Sequence, residues 1–230
     1  MKTFCALGVM LLGVAAGDCD EQPALQPVAD PQPVLEDLQR KMSSLKSVYL
    51  EFTQERRLQL FTEPLSSEGV MLIDQPGQIR WETTAPFQSI LLGNQKSVAQ
   101  FERTGDEWKK LKLGFPQMLK RVMDQMTLMH QGRLDALTAD FTLSVATGQV
   151  AVLTMIPKDE KVRAILASLE VRMLPDFSAT SEVVMHEPGR DLTRIVFRRE
   201  KRNVNFPPNT FDQTKPLDLA AIRAVVDPLP

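Results

Sequence analysis

The sequence of 230 residues is poor in the residue types that build disulfides and zinc sites, with two cysteines and two histidines. Cys5 lies within an apolar N-terminal segment and Cys19 follows soon after it, so no cysteine pair remains for a disulfide inside a folded domain. His130 and His186 are far apart in sequence, and neither has a Cys, Asp or Glu at ligand spacing. The sequence therefore predicts no metal site.

Signatures of common catalytic and nucleotide-binding sites are also missing. The chain has no G-x-S-x-G, no Walker loop and no G-x-G-x-x-G, which argues against the main hydrolases and against nucleotide cofactors. The formal net charge of -2 gives no electrostatic reason to expect binding to nucleic acid. We predict that the protein uses no cofactor and is not an enzyme.

One enzymatic hypothesis stays open, because a glycan or lipid hydrolase needs little more than two facing carboxylates. Glu82 and Glu102 lie on neighbouring predicted strands. However, alternation places Arg80 and Glu82 on the face opposite Ile79 and Trp81, so we expect these charges to form a solvated outer surface. Sugar sites also use aromatic platforms, whereas this chain has one tyrosine and two tryptophans.

The N-terminus has the layout of a secretory signal peptide. Lys2 precedes an apolar stretch from Phe4 to Ala16, which is followed by small residues. We predict a cleaved signal over residues 1–17, a proline-rich flexible leader over 18–33 and a single exported domain over 34–230. Lipidation of Cys19 is not favoured, because Asp18 stands where an acylated cysteine requires a small residue.

Hydrophobic periodicity predicts a mostly β protein that begins with a helix. Val34, Leu35, Leu38, Met42 and Leu45 recur at helical spacing, and the period then changes to two from Val48. Closely spaced strands with short turns favour an antiparallel meander, because parallel strands need long crossovers. Strands are predicted near 48–53, 69–73, 78–83, 89–92, 97–102, 107–111, 141–146, 149–156, 166–174, 179–186 and 193–204, with helices over 115–130 and 217–226.

The order of several motifs resembles a known family. The segments "LEDLQRKMSSLKSVYLEFTQ", "EGVMLIDQPGQIRWETTAPFQSILLGN", "AVLTMIPKDEKV" and "NFPPNTF" are similar to the periplasmic outer-membrane lipoprotein carriers, LolA. This resemblance implies a curved, incomplete antiparallel β-barrel whose concave face is covered by helices around a hydrophobic cavity. It also implies a monomeric periplasmic carrier that takes acylated lipoprotein or lipid cargo from an inner-membrane transporter to an outer-membrane receptor.

The resemblance also suggests candidate residues for the cavity and its lid. Trp81 matches the family's cavity tryptophan, and Ile79 occupies the preceding cavity position on the same face. A lid helix would come from the methionine-rich segment, since methionine suits surfaces that accept varied apolar partners. The full set is Phe52, Met71, Ile79, Trp81, Leu91 and Phe101 for the cavity, with Met118, Val122, Met126 and Met129 for the lid.

Gln75 marks a departure from the family pattern. The residue before Pro76 is an arginine in the best-known carriers, where it is thought to hydrogen-bond the lid shut, and glutamine lacks both the charge and the five-donor fork. We therefore expect lid control at this position to differ. Two related roles stay open: an outer-membrane-anchored receptor of the same fold, as in LolB, and a regulatory binding module with a stable protein partner.

Overall fold

The computed structural model describes residues 25–113, 116–215 and 217–227, without the side chains of residues 116–119, 121, 122 and 130. Within these residues, twelve antiparallel strands form one sheet in the order β1-β8-β9-β10-β11-β12-β2-β3-β4-β5-β6-β7. The strands of the first half are β1 (Gln26–Pro27), β2 (Ser47–Arg57), β3 (Leu65–Asp74), β4 (Gln78–Ala85), β5 (Ser89–Gly93), β6 (Val98–Thr104) and β7 (Glu107–Leu111). Those of the second half are β8 (Phe141–Thr147), β9 (Ala151–Pro157), β10 (Ser168–Met173), β11 (Thr180–His186) and β12 (Leu192–Arg202).

In the described part of the chain, five α-helices accompany the sheet: α1 (Gln32–Ser43), α2 (Pro116–His130), α3 (Leu134–Leu137), α4 (Glu160–Arg163) and α5 (Leu219–Val226). The two edge strands, β1 and β7, pair with β8 and β6 and not with each other, so the described sheet does not close into a barrel. The predicted fold class, an incomplete antiparallel barrel with helices, is therefore confirmed. The two short helices α3 and α4 were not predicted, because a single turn shows little periodicity.

The predicted flexible leader is wrong in its last part. Gln26 and Pro27 pair with Thr147 and Ala146 of β8, and Val28 N–H donates to the Val145 carbonyl over 2.9 Å. Helix α1 begins at Gln32, within the segment predicted as leader. Its proline lies in the first turn, where a missing N–H leaves no hydrogen bond unmade. The rest of the predicted leader, and the predicted signal peptide, lie outside the described residues.

The sheet has two covered faces, which we call the inner and outer faces. On the inner face, α1 and α3 pack against β8, β9 and β10, while α2 packs against strands β2 to β4. On the outer face, α5 and the preceding segment pack on Tyr49, Val70 and Leu72. Because side chains alternate along a strand, both sets of positions are apolar where both faces are covered. This explains the run of buried residues from Gly69 to Ile73.

Arg80 and Glu82 do point to the outer face, but the prediction that they are solvated is wrong. Both side chains are buried, with 0% and 5% of their area exposed. The segment before α5 covers them, and Arg80 donates to the carbonyl oxygens of Thr210 (3.0 Å) and Leu217 (2.6 Å). Strand alternation gave the direction of these side chains correctly. It does not show that a segment more than 120 residues later in the chain covers them.

Candidate functional site: an apolar cavity on the inner face

A cavity of about 180 Å³ lies between the inner face of the sheet, α1, α2 and the β10–β11 hairpin. Its walls are mostly apolar, with polar groups confined to a few residues such as Lys41, Ser178, Thr180, Glu200 and Arg202. Six of the eleven methionines in the sequence line it. They come from five different elements: Met42, Met71, Met126, Met129, Met173 and Met185. Such flexible, polarizable side chains can adapt to ligands of differing shape.

The structure brings four of the predicted residues to the cavity wall, Met71, Trp81, Met126 and Met129. Phe52 and Ile79 lie on the same face within the buried cluster beneath it, and Leu91 packs against that cluster. The rings of Phe52 and Trp81 meet edge to face, with their centroids 5.4 Å apart. Phe52 therefore packs against the Trp81 ring on the side away from the cavity. Of these two aromatic side chains, the half-buried Trp81 is the one that can contact a ligand.

The assignment of Phe101 to the cavity is wrong. Phe101 pairs with Ile90, and Ile90 pairs with Glu82, so all three side chains lie on the outer face. There Phe101 belongs to a separate cluster with Ile90, Leu92 and Ala99, against which Trp108 packs. The cavity-side positions of β6 are those of Val98 and Gln100, which pair with Gly93 and Leu91. The register between strands decided this, and sequence periodicity alone does not fix it.

The hydrolase hypothesis is also contradicted by the strand register. Glu82 lies on the outer face, whereas Glu102 pairs with Ser89 and Lys109 and lies one position from Phe101, on the other face. Strand β5 separates the two strands that carry them. The two carboxylates therefore cannot face one substrate from the same side of the sheet.

Helix α2 is the predicted lid, and its described contacts hold it against the sheet and α1. Met123 is buried, and its side chain packs over Gly93 so closely that a Cβ at that glycine would lie 2.5 Å from the Met123 sulfur. At the end of the helix, Gly132 has a positive φ and lies against the backbone of α1 at Gln39. The backbone of Met118 and Val122 is helical, but their side chains lie outside the described residues. Met126 and Met129 of α2 line the cavity, and the lid role of this helix stays a prediction.

Gln75 does not bind α2 through its described contacts. Its side-chain Nε2 donates to the Leu45 carbonyl over 2.8 Å, and its backbone N–H donates to the Lys46 carbonyl over 3.0 Å. Both acceptors belong to the connection between α1 and β2. This residue therefore fixes the exit from α1, and its part in lid control stays a prediction.

The polar groups at the mouth of the cavity form local ion pairs. Lys41 Nζ lies 3.1 Å from Asp37 Oδ2 and 5.7 Å from the centroid of the Phe177 ring, and Arg202 pairs with Glu200. The hydrogen bond from Arg40, followed by that from Lys41, lowers the pKa of the partly exposed Asp37 carboxyl. Each cation at the mouth thus has an acidic partner, and no strong net charge marks this end of the cavity.

Several cavity residues were not among the candidates from sequence. Met42, Met173, Met185, Phe177 and Phe197 line the cavity from α1, β10, β11, β12 and the β10–β11 turn. The alternating pattern on β10 and β11 could have identified the inner-facing positions. It could not show that this distant part of the chain returns beside β2, which in the described sheet follows from the pairing of β12 with β2.

No metal or membrane-spanning feature stands out in the described part of the chain. Among these residues there is no group of three or more His, Cys, Asp or Glu side chains arranged to hold an ion. His186 Nε2 lies 3.4 Å from Glu170 Oε1, and the side chain of His130 lies outside the described residues. None of the described helices combines the length and apolar character that crossing a membrane requires.

Comparisons with known proteins bear on the identity of this fold and cavity. The model of the family described as outer membrane lipoprotein carrier protein LolA matches residues 43–214. No curated protein matches the chain significantly. Similar solved structures include a LolA superfamily protein from Nitrosomonas europaea, with 9% identity over 81% of this chain and 99% of that chain and a TM-score of 0.45.

Two further structures are similar at a comparable level. Lipoprotein LppX from Mycobacterium tuberculosis has 11% identity over 76% of this chain and 99% of that chain, with a TM-score of 0.43. The MucA/MucB complex of Pseudomonas aeruginosa contains a match with 11% identity over 80% of this chain and 61% of that chain, with a TM-score of 0.41. The family model covers about three quarters of the sequence, including α2 and most of the cavity wall. The chain therefore belongs to the LolA family.

Proposed function

We propose that this protein is a periplasmic carrier that binds the acyl chains of lipoproteins, or of a related lipid-bearing cargo, and delivers them towards the outer membrane. The observation that carries the proposal is the apolar cavity on the inner face, lined by six methionines and Trp81 beneath a helix. Membership of the LolA family supports the same role. On this proposal the protein acts as a monomer between an inner-membrane transporter and an outer-membrane receptor, without covalent chemistry.

The size of the cavity suits a carrier that closes when empty. Its volume of about 180 Å³ is below the roughly 300–1,000 Å³ of sites that enclose drug-sized ligands. Acyl chains therefore need α2 or α1 to move away from the sheet before they can enter. Burial of each CH2 group gains roughly 0.8 kcal/mol, so the energy needed to reopen the cavity keeps the total affinity low enough for release.

The proposal is tested by replacing Trp81 with glutamate in protein purified from the periplasm. Native mass spectrometry followed by lipid extraction should find acylated protein or lipid on the wild type and none on Trp81→Glu. Trp81 is a better test position than Ile79, which is 1% exposed and supports the fold. Trp108→Glu is the matched control, because Trp108 packs on the outer face. A wild type that stays empty when supplied with acylated substrates, or a fully loaded Trp81→Glu, would contradict the proposal.

The two tryptophans also allow a direct binding measurement. In Trp108→Phe, Trp81 is the single tryptophan and lies at the cavity wall. Added acylated peptide should then shift the emission of Trp81 to shorter wavelength, because acyl chains replace water around a half-buried ring. In the reciprocal Trp81→Phe variant, Trp108 should give no shift.

An anchored receptor of the same fold is the second candidate, and one observation favours it. The β2–β3 loop exposes Leu60 and Phe61, and the β4–β5 turn exposes Phe87, with 92%, 55% and 62% of their areas accessible. Contiguous exposed apolar side chains, such as the neighbours Leu60 and Phe61, are typical of contact sites. The receptor role requires an acylated Cys19, which Asp18 does not favour. Mass spectrometry of the mature N-terminus distinguishes the two roles, since only the receptor would carry a lipid at Cys19.

A further inference from the structure

Strands β11 and β12 are paired along only part of the length of β12. The two strands pair from His186 and Leu192 to Glu182 and Val196, and there the pairing ends. Strand β12 continues for six more residues, 197–202, as far as Arg202 opposite Val48 of β2. Along these six residues the side of β12 that faces away from β2 has no strand partner among the described residues.

The pairing of β11 with β12 stops there because the end of the β10–β11 hairpin is held on α1 and not on β12. The hairpin is closed by the Leu174 N–H, which donates to the Ala179 carbonyl over 3.0 Å. Lys41 of α1 donates to the Asp176 carbonyl, and its Nζ lies 5.7 Å from the centroid of the Phe177 ring. Phe177 also packs against the cluster formed by α1, α3 and the second half of the sheet.

The gap between residues 178–180 of the hairpin and residues 197–202 of β12, which we call the wedge, leads into the cavity. Ser178, Ala179 and Thr180 line the cavity on the hairpin side of the wedge, and Glu200 and Arg202 line it on the β12 side. The apolar interior is thus joined at this point to polar side chains and to a free strand edge. In an antiparallel strand, backbone N–H and C=O groups point alternately to each side, so the free edge offers both donors and acceptors to a new partner.

We propose that the wedge is the exit for the peptide part of an acylated cargo, and that the cargo's linker adds to β12 as a strand along residues 197–202. This proposal rests on the carrier function proposed above and names its substrate as an acylated peptide rather than a free lipid. With acyl chains in the cavity, the linker that follows the acylated cysteine leaves through the wedge beside the free edge. Strand addition supplies main-chain hydrogen bonds that do not depend on linker sequence.

The arginines on the free edge of β12 favour a partner that is tethered nearby over a free peptide. Arg198 is exposed and has no ion pair within the described residues, and Arg202 is also exposed. Charged side chains on an edge strand discourage pairing with free chains. A linker held at the wedge by its own acyl chains has a high effective concentration there, so it can pair where an untethered peptide does not. The edge would therefore select peptides that are already loaded through their acyl chains.

Hydrogen exchange measured by mass spectrometry tests this proposal with three probes. One is tripalmitoyl-cysteine, the second carries a six-residue linker after the cysteine, and the third has the same linker N-methylated at alternate residues. Loading of each probe is measured separately by native mass spectrometry. We expect all three to load, and only the unmodified linker to slow exchange of the edge-facing amides in residues 198–202, by about tenfold or more.

Strand β7 provides the internal control, because one of its edges is also unpaired in the described sheet and it stands six positions from β12 in the strand order. Exchange in Glu107–Leu111 should be the same with every probe. If the linker probe loads without slowing exchange in 198–202, or slows it equally when N-methylated, the strand-addition proposal is overturned while the carrier function stands. If no probe loads, the carrier proposal fails and this one fails with it.

Discussion

Arg80 and Glu82 form a buried salt bridge on the outer face, with Arg80 Nη2 2.6 Å from Glu82 Oε2. The same guanidinium donates to the Thr210 and Leu217 carbonyls, so it joins β4 to the segment that leads into α5. Burial raises the pKa of the Glu82 carboxyl, and attraction to Arg80 opposes that effect. This pair therefore attaches the C-terminal cover to the face of the sheet opposite the cavity.

Replacing Glu82 with glutamine should destabilise the protein strongly. The change keeps the shape of the side chain but leaves the Arg80 charge buried without its partner, which typically costs about 3–5 kcal/mol. Urea unfolding measures the loss. Glu55→Gln is the control, because its partner Arg57 is exposed and Glu55 itself is partly exposed, and such surface pairs contribute roughly 0–1 kcal/mol. Equal effects of the two substitutions would contradict a stabilising role for the buried pair.

Gly93→Ala should loosen α2. A Cβ at this position would lie 2.5 Å from the Met123 sulfur, and because this sulfur is near the end of a flexible but buried side chain, we expect a cost at the low end of the range of about 1–3 kcal/mol for overpacking. Exchange of α2 amides should become faster, and acyl loading should become easier because the closed state is weakened. A double-mutant cycle with Met123→Ala checks the cause, since Gly93→Ala should cost almost nothing once the sulfur is removed. An unchanged cost in that background would exclude the contact as the reason.

Gln75→Ala should change stability without changing cargo affinity. Among the described contacts, the side chain donates one hydrogen bond, to the Leu45 carbonyl, and the loss of such a bond costs about 1 kcal/mol. Because none of the described contacts of Gln75 is to α2, binding of an acylated peptide should stay within about twofold of the wild type. Thermal unfolding and a fluorescence titration measure the two effects. A large change in affinity would instead restore this position as a control point for the lid.

Lowering the pH should reduce the free energy of unfolding, partly through protonation of Glu182. Arg194 donates two hydrogen bonds of 2.9 Å to this carboxylate and lowers its pKa below the ordinary value of 4.5. A carboxyl with a lowered pKa in the folded state adds stability above about pH 4.5, and this contribution is lost as the pH falls through the folded-state pKa. In urea unfolding at pH 7 and pH 3, Glu182→Gln should therefore show a smaller loss on acidification than the wild type.

Glu160→Gln is the control for that measurement, since 90% of the Glu160 side chain is exposed and its nearest cation, Arg163, lies 3.7 Å away. The slope of stability against pH in Glu160→Gln should match that of the wild type. If Glu182→Gln and Glu160→Gln lose the same stability between the two pH values, the pair with Arg194 has no part in the acid response.

The sequence predicted most elements of this fold because each was strongly periodic. The two-residue alternation from Val48 and the helical spacing of the methionines near Met126 correspond to β2 and α2 as observed. The candidate site was predicted less completely. Alternation placed Ile79 and Trp81 on one face, but the side on which Phe101 lies depended on the register of β5 with β6.

By its own periodicity and motif order, the sequence determined an antiparallel sheet with covering helices, membership of the LolA family and Trp81 as a cavity residue. Only the tertiary structure decided how the two halves of the sheet meet, because β2 and β12 are paired across about 140 residues of chain. That pairing brings Met173 and Met185 beside Met71 and opens the wedge at residues 197–202. It also decided that Arg80 and Glu82 are buried, since a distant segment covers them and local sequence does not record such long-range contacts.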